Sequence, residues 1–130
     1  MHHASIRTAN IHSAIAFYEQ LGFTVCERFT TGYTLACWME GLGGRIELIQ
    51  IPEPKPSELD AFADEHYVGY YHLSFDITDT TSDLPSWLRD VKENFVQASR
   101  KQPEIIQPWK LLHKYSHQSA AELVLEVPSK

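Results

Sequence analysis

The strongest constraint on the fold of this chain is an order of predicted elements that occurs twice. Each half contains a strand, an amphipathic helix and three further strands, and a stretch with three prolines separates the halves. Because proline lacks the backbone donor that a strand needs, this stretch is predicted to be a connector. Two βαβββ modules with their helices outside the sheets predict an α+β fold. We expect one domain over residues 1–130, with module 1 at about 1–51, the connector at about 52–68 and module 2 at about 69–130.

In the first module, a short strand over residues 3–7 precedes one helix. Asn10 is a suitable N-cap, and apolar residues recur at helical spacing up to Leu21. Gly22 follows in the position where helices often end. The predicted helix therefore runs from about Ile11 to Leu21. The strands that follow are predicted at Phe23–Phe29, Tyr33–Met39 and Arg45–Ile51, with glycine-containing turns between them.

In the second module, the order restarts with a predicted strand over Tyr70–Ile77. Ser82 or Asp83 is the predicted N-cap of the second helix, and Pro85 fits its first turn. The apolar residues that mark its buried face are Leu84, Trp87, Leu88, Val91 and Phe95. Three further strands are predicted at Glu104–Trp109, Lys110–Tyr115 and Glu122–Val127.

Composition limits the partners of the chain. Hydrophobic residues make up 43% of it, which suffices for a globular core. The net charge is -6 and no basic stripe occurs, so nucleic acid and anionic membrane surfaces are unfavourable partners. No apolar run approaches the roughly 20 residues of a membrane helix, and no signal-like segment opens the sequence. Its two cysteines suggest a reducing compartment, so the chain is expected to be cytoplasmic.

Each module places a histidine on its first strand and a glutamate on its last. These residues are His3 and Glu47 in the first module, and His72 and Glu126 in the second. Imidazole and carboxylate are ligands of divalent metals, and two carboxylates would balance the charge of a dication. A carboxylate within an apolar strand is costly unless it faces water, a cation or a proton. The four residues therefore predict a metal site with two positions left for water or substrate.

Strand alternation predicts which side chains share a face with these ligands. Glu47 is predicted to share its face with Arg45 and Ile49. His2 competes with His3 for the ligand position. Because successive side chains of a strand point to opposite faces, we do not expect both histidines to point inward.

The run from His3 to residue 23 closely resembles the opening of vicinal-oxygen-chelate proteins, a superfamily that includes glyoxalases, bleomycin resistance proteins and extradiol dioxygenases. Its members open with a metal-binding histidine, a helix containing Phe-Tyr, and then Leu-Gly. Here Phe-Tyr stands at positions 17 and 18, and Leu-Gly at 21 and 22. This spacing favours His3 over His2. The later strands that resemble the remaining ligand strands of the family contain Glu47, His72 and Glu126.

The resemblance implies curled mixed sheets that form a cup around one divalent ion, and a homodimer is the expected assembly. The ion would be nickel, zinc, cobalt or manganese, or iron in a dioxygenase. Similarity to glyoxalase I implies that Arg7 binds the substrate carboxylate, with an ion pair to Glu47 or Glu126 as the alternative. It also implies that Glu126 or Glu47 is the catalytic base. Aromatic candidates for substrate binding, with core packing as the alternative, are Trp38, Tyr70 and Trp109.

Three functions are consistent with this sequence. The first is a lactoylglutathione-lyase-like or related lyase or isomerase that acts on vicinal oxygens through an enolate or enediolate. The second is a non-enzymatic binder of the bleomycin-resistance type, and the third is an extradiol-type dioxygenase, which a fourth ligand at Glu47 disfavours. Two departures from the family pattern stand out. Ile51 replaces an asparagine of glyoxalase I, which disfavours glutathione adducts, and residues 116–121 replace a common Asp-Pro-Asp-Gly turn.

Overall fold

The computed structural model describes residues 1–55, 66, 68, 72–101, 112–116 and 121–126, without the side chains of Thr31, His72 and the last two ranges. That part of the chain contains two helices and seven strands, so the α+β prediction is confirmed. In chain order the elements are β1 (Ala4–Thr8), α1 (Ile11–Glu19), β2 (Thr24–Thr31), β3 (Thr34–Gly41), β4 (Gly44–Gln50), β5 (His72–Asp76), α2 (Leu84–Lys101), β6 (Leu112–Ser116) and β7 (Ala121–Glu126).

Both ends of α1 are fixed by residues that the sequence analysis identified. The Asn10 side chain accepts a hydrogen bond of 3.1 Å from an N–H of the first turn. At the other end, Gly22 has a φ of 96° and donates its N–H to Glu19 O at 3.0 Å. The N–H of Phe23 reaches back to Tyr18 O at 3.1 Å, and the two rings lie 5.6 Å apart. These bonds form a Schellman motif, in which the reversed backbone favours glycine.

The predicted boundaries of the helices need small corrections. α1 ends at Glu19 rather than Leu21, because its closing turn is held by bonds between residues three apart instead of four. Of the two predicted N-caps of α2, Asp83 is the one whose carboxylate accepts from Ser86 N–H, at 3.2 Å. The predicted buried face of α2 is confirmed. Its buried residues are Leu84, Leu88, Val91 and Phe95, and Trp87 is half-buried beside them.

The first module forms one open, mixed sheet of four strands in the order β1-β4-β3-β2. β1 pairs parallel with β4, and the other two pairs are antiparallel. Leu42 and Gly43 form the β3–β4 turn with φ values of 52° and 74°, as a two-residue type I′ hairpin requires. This turn fixes the β3–β4 register, in which Trp38 lies opposite Glu47. On the other side of β4, the parallel pairing with β1 places Ser5 opposite Glu47. One row of three side chains therefore crosses three strands.

The core lies between one face of this sheet and the two helices. The ring centroids of Phe17 and Phe95 are 5.2 Å apart, so α2 packs directly against α1. On β4, the buried Ile46 and Leu48 flank a half-buried Glu47, which confirms the predicted alternation. The fully buried large side chains are Phe23, Phe95, Met39, Ile46, Leu48, Ile77 and Cys37. The other face of the sheet is left free of both helices.

The strands described in the second half do not repeat the topology of the first. They lie in the order β5-β7-β6 with both pairs antiparallel, whereas β1 and β4 are parallel. The strand predicted at Glu104–Trp109 lies outside the described residues. Neither helix in the described part of the chain is long and apolar enough to cross a membrane.

Phe95 tests whether α2 belongs to the same core as α1. Its side chain is 0% exposed and contacts Phe17, so Phe95→Ala should leave a cavity and lower the free energy of unfolding by about 3–5 kcal/mol. Leu35→Ala is the control, because Leu35 is 41% exposed and should cost less than about 1 kcal/mol. Urea denaturation of both variants measures the difference. Equal midpoints would contradict a core shared by the two helices.

Candidate functional site

The carboxylate of Glu47 is held from two sides on the helix-free face of the sheet. Ser5 Oγ donates to Oε1 at 2.6 Å, and Trp38 Nε1 donates to Oε2 at 3.1 Å. The Nε2 atom of His3 lies 3.8 Å from Oε1, and the Glu47 side chain is 16% exposed. Each carboxylate oxygen thus has its own donor from a neighbouring strand.

These contacts lower the pKa of Glu47 below its usual value. The hydrogen bond from Ser5 is the largest cause, and partial burial opposes it. The indole N–H of Trp38 and the nearby His3 lower the pKa further. Glu47 is therefore ionised at neutral pH, which is the state that a metal ligand must have.

His2 and His3 both contact this site, so the prediction that they point to opposite faces is wrong. Their rings lie 5.6 Å and 5.9 Å from the ring of Trp38, and their Nδ1 atoms are 2.7 Å apart. Regular strand pairing begins only at Ala4, so the alternation of a strand does not apply to the two residues before it. His3 approaches Glu47, and His2 approaches Arg45, whose Nη1 atom is 3.4 Å from His2 Nε2.

Arg45 connects the histidines to a second acid. Its Nε donates to Glu40 Oε1 at 2.9 Å, its Nη2 donates to the same oxygen, and its guanidinium lies 5.2 Å from the ring of Trp38. The hydrogen bond from Arg45 is the main reason why the pKa of Glu40 is lowered. Arg45 lies on the face of Glu47, as strand alternation predicts, but its contacts and those of Ser5 are not evident from the sequence. Alternation from His3 would have placed Ser5 on that face, but its pairing depends on the register of β1 with β4.

His3 and Glu47 fit two positions of a metal site. Two ligand atoms at about 2.1 Å from one ion lie about 3.0–3.4 Å apart, so the measured 3.8 Å needs only a small closure. The other two predicted ligands, His72 and Glu126, are backbone partners in the β5–β7 register. Their side chains lie outside the described ones. Among residues with described side chains, no three His, Cys, Asp or Glu groups are close enough together to hold an ion.

The remaining predicted site residues differ in where they lie. Arg7 is exposed on β1 opposite Ile49, and it forms no ion pair with any described side chain. Tyr70 and Trp109 lie outside the described residues. Trp38 lies in the site, where its N–H is used by Glu47.

A surface cavity of about 540 Å³ lies on the opposite side of the sheet. It opens between α1 and α2, with Arg28 of β2 at its edge. No predicted site residue whose side chain the structure describes lines it, so the cavity is separate from the candidate site around Glu47.

Ser5→Ala tests whether the hydrogen bond from Ser5 stabilises the ionised form of Glu47, through the pH dependence of the free energy of unfolding. A carboxyl group with a lowered pKa stabilises the fold above its usual pKa, and this contribution is lost as the pH falls through the lowered value. At pH 7 the variant should lose about 1–2 kcal/mol of unfolding free energy, and the loss should shrink at pH values below about 4. Chemical denaturation across this range measures it. Ser82→Ala, in an exposed loop, is the control. A loss that does not change with pH would contradict the role of the Ser5 hydrogen bond.

Comparison with known families agrees with this geometry. The model of the Glyoxalase/Bleomycin resistance protein/Dioxygenase superfamily matches residues 1–104, which span β1 to α2 and contain His3 and Glu47. Searches of curated proteins and of solved structures found no match. The resemblance seen in the opening run is thereby confirmed, and the chain belongs to the Glyoxalase/Bleomycin resistance protein/Dioxygenase superfamily.

Proposed function

We propose that the protein is a divalent-metal-dependent lyase or isomerase that acts on a small substrate with vicinal oxygen atoms. The superfamily includes enzymes and binders, so membership alone does not choose between them. The observation that favours the enzyme is the His3–Glu47 pair. The pair supplies an imidazole and an ionised carboxylate side by side, which are two ligand types that divalent ions bind, with the carboxylate already in the state that binding requires.

The proposed ligand set is His3, Glu47, His72 and Glu126. The last two are supported by the register of β5 and β7, which pairs them directly. Partners in an antiparallel pair have Cβ atoms about 4.5–5.5 Å apart, a separation at which two ligands can share one ion. The family match ends before Glu126, so that ligand rests on the register and not on the comparison.

The two glutamates would divide the chemistry between them. A bound ion would supply Lewis-acid polarisation of the substrate oxygens. Glu47 already accepts hydrogen bonds on both oxygens, so it is suited to hold charge rather than to remove a proton. We therefore assign proton transfer at the carbon beside the polarised oxygens to Glu126. Arg7 forms no ion pair with a described side chain, so it would bind an anionic group of the substrate. Trp38 would form one wall of the substrate-binding space beside Glu47.

Metal content tests this proposal directly. The protein, purified without chelator and then incubated with Ni²⁺, Zn²⁺, Co²⁺ or Mn²⁺, should retain one ion per chain by elemental analysis. Glu47→Gln and His72→Ala should each weaken binding by about 10- to 100-fold or more, because even residues behind the ligands have effects of this size. Glu19→Gln at the end of α1 and His12→Ala on its exposed side are the matched controls, because both residues are exposed and lie on the helix side of the sheet, away from Glu47.

The possible results separate the three functions. Failure of the wild-type protein to retain any of these ions would contradict the metal enzyme and favour a binder of the bleomycin-resistance type. Iron that stays bound in Glu47→Gln would favour a dioxygenase, whose site needs two histidines and one carboxylate. Turnover of the methylglyoxal–glutathione adduct by the metal-loaded protein would identify the lactoylglutathione lyase reaction within the proposed class.

A further inference from the structure

We propose that Arg45 sets the tautomer of His3 through His2, and thereby limits how readily the candidate site takes up an ion. The inference rests on the proposed function in one respect, namely that His3 binds the ion through Nε2. Three contacts form the relay. They join Arg45 Nη1 to His2 Nε2 at 3.4 Å, His2 Nδ1 to His3 Nδ1 at 2.7 Å, and His3 Nε2 to Glu47 Oε1 at 3.8 Å.

The direction of the relay follows from the chemistry of arginine. A guanidinium is always protonated and can only donate hydrogen bonds. The Nε2 atom of His2, which faces Arg45, must therefore be the bare nitrogen, because two facing N–H groups repel each other. A neutral imidazole carries one N–H, so the proton of His2 lies on Nδ1.

The same logic passes from His2 to His3. The two Nδ1 atoms are close enough for a strong hydrogen bond, in which His2 donates and His3 accepts. Neutral His3 then carries its proton on Nε2. That N–H faces the ionised carboxylate of Glu47, which is electrostatically favourable and completes the chain.

This tautomer cannot bind an ion through Nε2, because a ligand nitrogen must be bare. Uptake requires the relay to reverse, with both rings remaining neutral. The proton on His3 Nε2 leaves to water, the proton of His2 Nδ1 moves to His3 Nδ1, and water supplies a proton to His2 Nε2. After reversal, two N–H groups face each other at the contact between His2 and Arg45.

Arg45 is held in a position that opposes this reversal. Two of its nitrogens donate to Glu40, and its guanidinium stacks on Trp38, so it cannot turn away without losing both contacts. It is a positioning residue that acts on His3 through His2. Loss of its donor should therefore strengthen ion binding, whereas loss of a simple structural brace would weaken it.

Two variants break the relay, one at Arg45 and one at His2. Arg45→Met removes the donor and keeps a long apolar side chain over Trp38. His2→Phe keeps a ring beside Trp38 and removes the Nδ1–H. Arg89→Met is the matched control, because Arg89 lies exposed on α2 and bonds Ser86 away from the site.

The tautomers are read in the metal-free protein by long-range ¹H–¹⁵N NMR of the imidazole rings, at an alkaline pH where the spectra themselves show both rings to be neutral. We expect His3 with a bare Nδ1 and a protonated Nε2, and His2 with the opposite pattern. Both variants should shift His3 toward Nδ1–H, and the control should not. A wild-type His3 that is protonated on Nδ1 would overturn the relay, as would unchanged tautomers in both variants.

Calorimetry with Zn²⁺ then measures the consequence for uptake. Apparent affinity scales with the fraction of the competent tautomer, so Arg45→Met and His2→Phe should bind about 3- to 10-fold more tightly than the wild type. Weaker binding by both variants would overturn the inference. If the wild-type protein binds no Zn²⁺, the proposed function fails while the NMR result still decides the relay. If Zn²⁺ binds but His3 shows the Nδ1–H tautomer, only the relay fails.

Discussion

The parallel pairing of β1 with β4 is the constraint on which the candidate site depends. Parallel neighbours need a crossover between them, and here the chain passes through α1 and two intervening strands before it returns as β4. The crossover helix covers one face of the sheet and leaves the other free. On that free face, the parallel register alone brings Ser5, which is distant from Glu47 in sequence, against its carboxylate. A slip of one residue would turn Glu47 into the core.

The parts of the fold that could be predicted are those whose signals are local. Each of these features depends only on residues that are close together in the sequence: the Asn10 cap, the glycine that ends α1, and the apolar face of α2. The alternation of Ile46, Glu47 and Leu48 is also a local signal, and it correctly placed Glu47 on the face of β4 that points away from the core. The family pattern added His3, since its spacing to the helix is also a short-range property.

The contacts that the sequence could not reveal depend on the register and the direction of strand pairing. The donors from Ser5 and Trp38 come from two different strands, and no pattern in the sequence states which residues of separate strands become neighbours. His2 was misplaced because alternation was applied before the point where pairing begins. In the second half, β5 and β7 pair antiparallel although they are far apart in the sequence, and apolar runs state neither which strands pair nor in which direction.

The position of β1 has a consequence for how the site responds to local motion. Among the described strands, β1 pairs with β4 alone and so lies at an edge of its sheet, and His3 precedes its first paired residue. Edge segments open at a small fraction of the free energy of global unfolding, and a ligand that binds the closed form stabilises it. The candidate site is thus coupled to an edge strand of the sheet. Binding of an ion would slow amide hydrogen exchange in β1 at ion concentrations too low to change the melting temperature of the whole domain.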